Sequence, residues 1–279
     1  MKAPQFAYTK PRTLEEAFDL LEKHGQDARL LAGGQSLVPM LNLRLAAPAI
    51  LIDITGLDGL AGISVSDSHV RIGALTSHRQ VERSADIARH CPLLTQAAPH
   101  IAHVAIRNSG TFGGSIALAD PAAEWPACCL ALDATFVLVS RKGERRVPAR
   151  AFFKGLYATA LTPLELVAAI EIPLMPRHRS VFLELSRRRG DYAIVGVAAV
   201  AKAEGGRLHD LRLAYLGGGD VPKLAVHAMQ AAEGQAPKGD FSAELARDLS
   251  PLADLENTPQ TKLHLATVLT RRALAALAA

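Results

Sequence analysis

The sequence predicts an α+β fold in three lobes. Three observations carry that reading: a β-α-β-like opening, alternating hairpins through the middle, and a two-proline break before an antiparallel strand pair and closing helices. Thr13-Leu14-Glu15-Glu16 is a capping box, and Leu14, Ala17, Phe18 and Leu21 follow at helical spacing up to Gly25. Residues 28–32 form a short apolar strand running into Gly33-Gly34, and Leu51-Ile52-Asp53-Ile54 a second. Alternation predicts a hairpin from 63–65 and 70–72 around Ser66-Asp67-Ser68, and another from 135–140 and 145–148 around Lys142-Gly143. Thr76 is positioned to cap a short helix; further helices are expected over about 92–101 and 122–132. The stretch 106–121 lacks helical periodicity and is expected to be irregular.

Residues 166–172 make one more strand, ended by Pro173, and the unpatterned segment 173–179 is the expected linker. Beyond it, strands over 181–186, 194–203 and 208–216, the last two turning at Gly205-Gly206, predict a small antiparallel sheet. Helices over 224–232, 242–249 and 261–278 close the chain. The expected divisions are 1–57, 58–175 and 176–279.

Composition narrows the function. The chain has 279 residues, 49% hydrophobic and 21% charged, as a globular protein with substantial cores requires. Aromatics at 5% are too few for a nucleic-acid stacking surface, and the charge of +4 is mild. Arg187-Arg188-Arg189 is its densest basic cluster, suited to an anionic ligand, an acidic partner or a solvated rim. Three cysteines, Cys91, Cys128 and Cys129, provide neither a disulfide framework nor cluster-ligand spacing. No apolar run approaches the roughly 20 residues of a transmembrane helix, and no signal-peptide pattern opens the sequence. A soluble cytoplasmic protein is expected.

The residues with chemical potential are two Gly-Gly-polar-Ser stretches about eighty positions apart, Ala32-Gly33-Gly34-Gln35-Ser36 and Thr111-Phe112-Gly113-Gly114-Ser115. Backbone amides without a Cβ in the way, next to a hydroxyl, suit phosphate oxygens. Neither stretch matches the dinucleotide fingerprint or the Walker pattern, so a Rossmann site and an NTPase are both disfavoured. Asp120 and Glu124 follow the second stretch at the start of a helix. They serve either as charge complementing the helix dipole or as acceptors for ligand hydroxyls. His100 and His103 are three apart on an expected helix but lack a third ligand, so no metal site is expected. Neither serine sits in a nucleophile elbow. Tyr192, after Arg189-Gly190-Asp191, is either core or a stacking partner for a flat ring.

Together these stretches resemble a known family, the FAD-binding medium subunits of molybdenum hydroxylases, which includes the carbon monoxide dehydrogenase medium subunit and the xanthine dehydrogenase flavin domain. The resemblance rests on Ala32 to Ser36 continuing through Leu37 to Arg44, on Ile106-Arg107-Asn108 before Thr111 to Ser115, and on Asp120-Pro121-x-x-Glu124. Arg189 to Ala193 and Arg271 to Leu274 extend it over the whole chain. It implies two N-terminal subdomains of the vanillyl-alcohol-oxidase (PCMH) type around FAD, then a smaller C-terminal α+β domain. By the same resemblance Ala32, Gly33, Gly34, Gln35, Ser36 and Leu37, with Thr111, Gly113, Gly114 and Ser115, hold the pyrophosphate region. Ile101 and Leu161 give apolar contacts, Asp120 and Glu124 meet ribityl or ribose hydroxyls, and Tyr192 covers one flavin face.

The implied activity is that of an FAD-dependent oxidoreductase subunit. It takes electrons from a [2Fe-2S] small subunit beside a molybdopterin large subunit, in a dimer of heterotrimers, and passes them to NAD, a quinone or another acceptor. A stand-alone flavin oxidoreductase with its own substrate is the alternative. One departure stands out: many relatives carry a lysine in the strand before Arg-Gly-Asp-Tyr, where this chain has Leu183-Glu184-Leu185.

Overall fold

A computed structural model describes residues 2–279. The chain opens with β1 (Ala7–Thr9), α1 (Leu14–His24), β2 (Ala28–Leu31), α2 (Leu37–Asn42) and β3 (Ile50–Asp53). The strands form a parallel sheet in the order β1-β3-β2, with Leu31 opposite Asp53. Ala17, Phe18 and Leu21 of α1 are buried, so its apolar stripe faces the sheet as the spacing predicts. The capping box is only half made. The Thr13 hydroxyl accepts from the Glu16 amide, but the Glu16 carboxylate reaches past Thr13 to the Arg12 amide at 2.7 Å.

The middle of the chain runs β4 (Ile63–Val65), β5 (His69–Gly73), α3 (His78–Arg83), α4 (Ala85–His90), α5 (Pro92–Ala97), α6 (Val104–Ser109), α7 (Phe112–Leu118) and α8 (Glu124–Ala131). It continues with β6 (Thr135–Ser140), β7 (Gly143–Pro148), α9 (Ala149–Phe152), β8 (Phe153–Gly155), β9 (Ala158–Thr159) and β10 (Leu166–Pro173). Both expected hairpins form and join an antiparallel five-stranded sheet, β4-β5-β10-β6-β7.

Three expectations fail here. Thr76 is not the cap of α3. That role falls to Ser77, in a full capping box with Gln80, while the buried Thr76 hydroxyl bonds the Gly62 backbone instead. The stretch 106–121 is not irregular but two short helices, α6 and α7, because tertiary burial of Arg107, Phe112 and Ile116 replaces the missing periodicity. His100 and His103 do not share a helix. The first ends a 3-10 turn and the second caps α6, with Ala102 between them at φ +41°.

The last part contains β11 (Arg179–Ser186), β12 (Ala193–Glu204), β13 (Arg207–Leu216), β14 (Lys223–Leu224), α10 (Val226–Ala232), α11 (Ser242–Asp248) and α12 (Pro259–Ala278). The strands make an antiparallel sheet in chain order. Gly205 and Gly206, at φ +58° and +74°, turn β12 into β13 as a glycine-only two-residue turn allows. Alternation divides β12 between two cores. Val197, Ala199 and Ala201 face the core formed with α10–α12, whereas Ala198 and Val200 join the core that holds Phe112, Trp125 and Cys128. That shared core is the seam between the last sheet and the helices of the middle lobe. All three cysteines are buried. No helix among the described residues is long and apolar enough to cross a membrane.

Candidate functional site

The first glycine stretch, distant in sequence from the second, touches the turn that leads into it. A Cβ on Gly33 would lie 2.1 Å from the Ser109 carbonyl oxygen and 2.8 Å from the Gly110 Cα. Those two residues end α6 and lead into Thr111. Only glycine at position 33 permits this approach of one backbone to another.

The first stretch leaves the carboxyl end of β2 and enters α2, with Gly34 at φ +69°. Among the described residues no acceptor meets the amides of Gly34, Gln35, Ser36 or Leu37. Ser36 makes no side-chain capping bond to α2, and Gln35 Nε2 folds back onto the Gly33 carbonyl at 2.8 Å. Four consecutive unpaired amides at a strand-to-helix turn make a receptive site for an anion.

The second stretch is arranged differently. The Phe112 amide donates to the Thr76 carbonyl, the Gly113 amide to the Ala74 carbonyl, and the Gly114 amide to the Thr111 hydroxyl. A Cβ on Gly113 would sit 2.3 Å from the Ala74 Cβ, so this glycine lets α7 lie on the segment after β5. Gly114 is the open one. A Cβ there would meet only the Thr111 side chain, with Oγ1 at 2.7 Å. Beneath α7, Phe112 stacks on Trp125 at 4.8 Å between ring centres, and the Trp125 indole donates to His78 Nδ1 at 2.9 Å. Burial, then the Arg107 charge, pushes His78 down to about 4, so it stays neutral and accepts that bond.

Arg107 was visible in the sequence as part of a motif, but its work was not. Its guanidinium is buried, pairs with Glu82 at 3.0 Å and donates to the Ile101 and Ala102 carbonyls. It thereby fixes the strained turn that brings Ile101 into the shared core. Leu161 is not at the glycine loops. It lines a groove with Gly25, Gln26, Ala28 and Arg29, toward the opposite end of β2.

Asp120 and Glu124 lie past the end of α7. Asp120 Oδ1 accepts from the Ala122 amide, and its Oδ2 faces the Tyr157 hydroxyl at 3.4 Å. Glu124 opens α8, where burial chiefly, and then the Asp120 charge, pushes its carboxyl up to about 7. Tyr192 is largely exposed after the Gly190 turn. Partial burial and then the Asp120 and Glu124 carboxylates hold its hydroxyl above the ordinary tyrosine value. Tyr157, at φ +54°, is raised by burial, Asp120 and Tyr192, so both tyrosines flank Asp120. Sequence reasoning missed Tyr157; its one signal was the Gly155-Leu156-Tyr157 turn. No group of three or more potential metal ligands exists among the described residues.

The residues present fit a diphosphate-bearing cofactor: free amides on one loop, a Cβ-less opening at Gly114 on the other, and carboxylates and tyrosines beyond. Known proteins agree. Residues 4–175 match the model of the FAD binding domain in molybdopterin dehydrogenase, and residues 180–277 that of the CO dehydrogenase flavoprotein C-terminal domain. The chain is 36% identical to the glyceraldehyde dehydrogenase medium chain of Sulfolobus acidocaldarius over 98% of each. It is 44% identical to the 6-hydroxypseudooxynicotine dehydrogenase complex subunit alpha of Paenarthrobacter nicotinovorans over 79% of this chain and 75% of that one. Among solved structures, a chain of the Hydrogenophaga pseudoflava carbon monoxide dehydrogenase superposes with a TM-score of 0.95 at 37% identity, covering 99% of this chain and 98% of that one. The expected FAD cofactor and α+β flavoprotein architecture are thus both met, and the chain belongs to the FAD-binding family of molybdopterin dehydrogenases, as an FAD-dependent oxidoreductase subunit.

Proposed function

We propose that this chain is the electron-transfer subunit of a heteromeric, cytoplasmic molybdenum hydroxylase. It accepts electrons from iron–sulfur clusters on a small partner subunit and delivers them to NAD, a quinone or another acceptor. A molybdopterin large subunit oxidises the organic substrate, and the assembly is a dimer of such heterotrimers. The carrying observation is the run of four amides at Gly34–Leu37 without an acceptor, set against the second glycine loop. We assign those amides to the FAD diphosphate.

Around that anchor each residue has a role. Ala32 and Gly33 shape the turn, Gln35 braces it, and Ser36 contributes a hydroxyl. Thr111 and Ser115 add hydroxyls across the gap, Gly114 keeps it open, and Gly113 seats α7 on Ala74 so that the loop can present them. Asp120 and Glu124 accept from sugar or ribityl hydroxyls, Ile101 supports the turn beside them, and Leu161 gives an apolar contact at the far end. Tyr192, with Tyr157 beside it, covers the ring. Bound FAD supplies the exchange between single electrons and electron pairs; the protein positions it and shields it from water. Residues 1–57 and 58–175 grip the cofactor, and 176–279 closes over it.

The names of the relatives support a medium-subunit role, since they include medium chains of dehydrogenases. Co-expression with the genes flanking this one, followed by affinity purification through this chain, tests the reading. The expected product is a yellow-brown complex with one FAD per copy of this chain, reducing an acceptor only when all subunits are present. Turnover of an organic substrate by this chain alone would favour the stand-alone alternative. A colourless chain that takes up no FAD would overturn both.

A further inference from the structure

Tyr192 is 71% exposed, so the packing of its own ring does little to hold it. Its place is set by the loop that carries it, residues 187–192. At one point that loop is pinned by shape. Gly190, at φ +83°, lies so close to His103 that a Cβ there would meet the imidazole Cε1 at 2.5 Å. At a second point it is held by charge.

Asp191 is the link there. Its Oδ1 accepts from the Tyr192 amide at 3.3 Å. Its Oδ2 accepts from Arg187 Nη2 at 3.2 Å and from Nε at 3.3 Å. The same guanidinium directs Nη1 to Glu256 Oε1, at 2.6 Å. Glu256 stands on the turn before α12, and that turn is firmly built. Asp254 Oδ1 accepts from the Glu256 and Asn257 amides at 2.9 and 2.7 Å, and Oδ2 pairs with Lys262 Nζ at 2.8 Å. Lys262 is buried near the start of α12. A planar fork that serves two carboxylates at once is what an arginine offers. Arg188 also nears Asp191, at 3.5 Å, but among the described residues it has no second carboxylate to which it could pass the hold.

We propose that Arg187 is a positioning residue. Through Glu256 on one side and Asp191 on the other, it ties the α12 end of the last lobe to the backbone of Tyr192 and so keeps the tyrosine ring on the flavin. This role depends on Tyr192 lying over the flavin, as given under Proposed function. Gly190 on His103 fixes where the loop pivots, and Arg187 fixes how far it swings. The Arg187 and Glu256 side chains are 56% and 53% exposed, so the hold is modest and yields to salt. Pairs of that exposure shift a balance between ring-on and ring-off states by up to about fivefold.

The test is time-resolved flavin emission from the assembled, FAD-loaded complex. A tyrosine ring in contact with excited flavin lends it an electron that returns at once, so ring-on flavin emits briefly and ring-off flavin for longer. A Tyr157→Phe background leaves Tyr192 as the one tyrosine beside the ring, and Tyr192→Phe then identifies the short component. Arg187→Ala and Glu256→Gln should each raise the long-to-short ratio by about two- to fivefold at unchanged FAD content. Together they should raise it no further than either alone, since both cut the same tie. Raising salt from about 0.05 M to about 0.5 M should raise the ratio in the parent complex and leave it unmoved in the variants. An unchanged ratio in both single variants would overturn the tie and leave Tyr192 on the flavin. Lifetimes unmoved by Tyr192→Phe would take Tyr192 off the flavin face, and the role of Arg187 with it. Should the variants fail to assemble, the salt series of the parent complex decides, and a constant ratio across it sinks the proposal.

Discussion

The two glycine loops read almost alike in sequence and differ in what their backbones do. At Gly34–Leu37 the amides meet no acceptor among the described residues. At Phe112–Gly114 every amide is engaged with Thr76, Ala74 or Thr111. The first loop is a donor surface; the second is a close-packed shoulder against which the first leans, through Gly33 on Ser109. A glycine pair therefore marks a place where a Cβ is intolerable, and the pattern alone does not say whether a ligand or the protein takes that space.

The largest effect expected from this contrast is at Gly113. With 2.3 Å to the Ala74 Cβ and 2.7 Å to its Cα, Gly113→Val forces backbone apart and breaks the bond to the Ala74 carbonyl. A loss of about 3 kcal/mol or more is expected, in the upper range for overpacking. Urea denaturation of the FAD-free and FAD-loaded variants checks it. Wild-type stability with lost FAD would mean that the shoulder is instead a ligand surface.

The next effect is a pH dependence of that shoulder. The His78 amide donates to the Gly110 carbonyl, and the His78 ring accepts from Trp125, so His78 must remain neutral. Its folded value, about 4, lies below the unfolded one near 6.5. A base held neutral in the fold contributes stability that is present at neutral pH and is lost as pH falls from about 6.5 toward about 4. Between about pH 7.5 and pH 5 the loss should be about 2 kcal/mol. His78→Gln, which keeps an acceptor for the indole, should flatten that dependence in thermal melts across the range. An unchanged slope in the variant would remove His78 from the clamp.

How much of this was legible follows the same line between local and tertiary causes. Periodicity located α1, both hairpins of the five-stranded sheet and the long pair β12–β13, since each side chain there is sorted by its own strand or helix. It did not locate α6 and α7, whose six and seven residues are held by Arg107, Phe112 and Trp125 rather than by propensity. The motifs drew attention to the right loops, but hydrogen-bond accounting was needed to tell them apart. Glu184 stood out as a departure in β11; that its carboxylate is buried between two lobes, 3.9 Å from His100, required their packing. The Tyr157–Asp120 approach and the His78–Trp125 bond depend on partners at least 37 residues away, so the turn at Gly155 marked a bend and not a partner.

The smallest effect on stability, and the sharpest on the comparison, is expected at Gly114. A methyl group there meets only the Thr111 hydroxyl, the free end of a side chain. Displacing that cap costs about 1 kcal/mol. Alanine in place of glycine within α7 returns a similar amount, so Gly114→Ala should unfold within about 0.5 kcal/mol of wild type. In the proposed placement of FAD the same methyl group takes space that the cofactor fills. FAD affinity, followed by flavin fluorescence on titration of the stripped protein, should therefore weaken more than about tenfold, about 1.4 kcal/mol. A variant that is as stable and as tight as wild type would confine the cofactor's anchor to the first loop, leaving the second as a shoulder and nothing more.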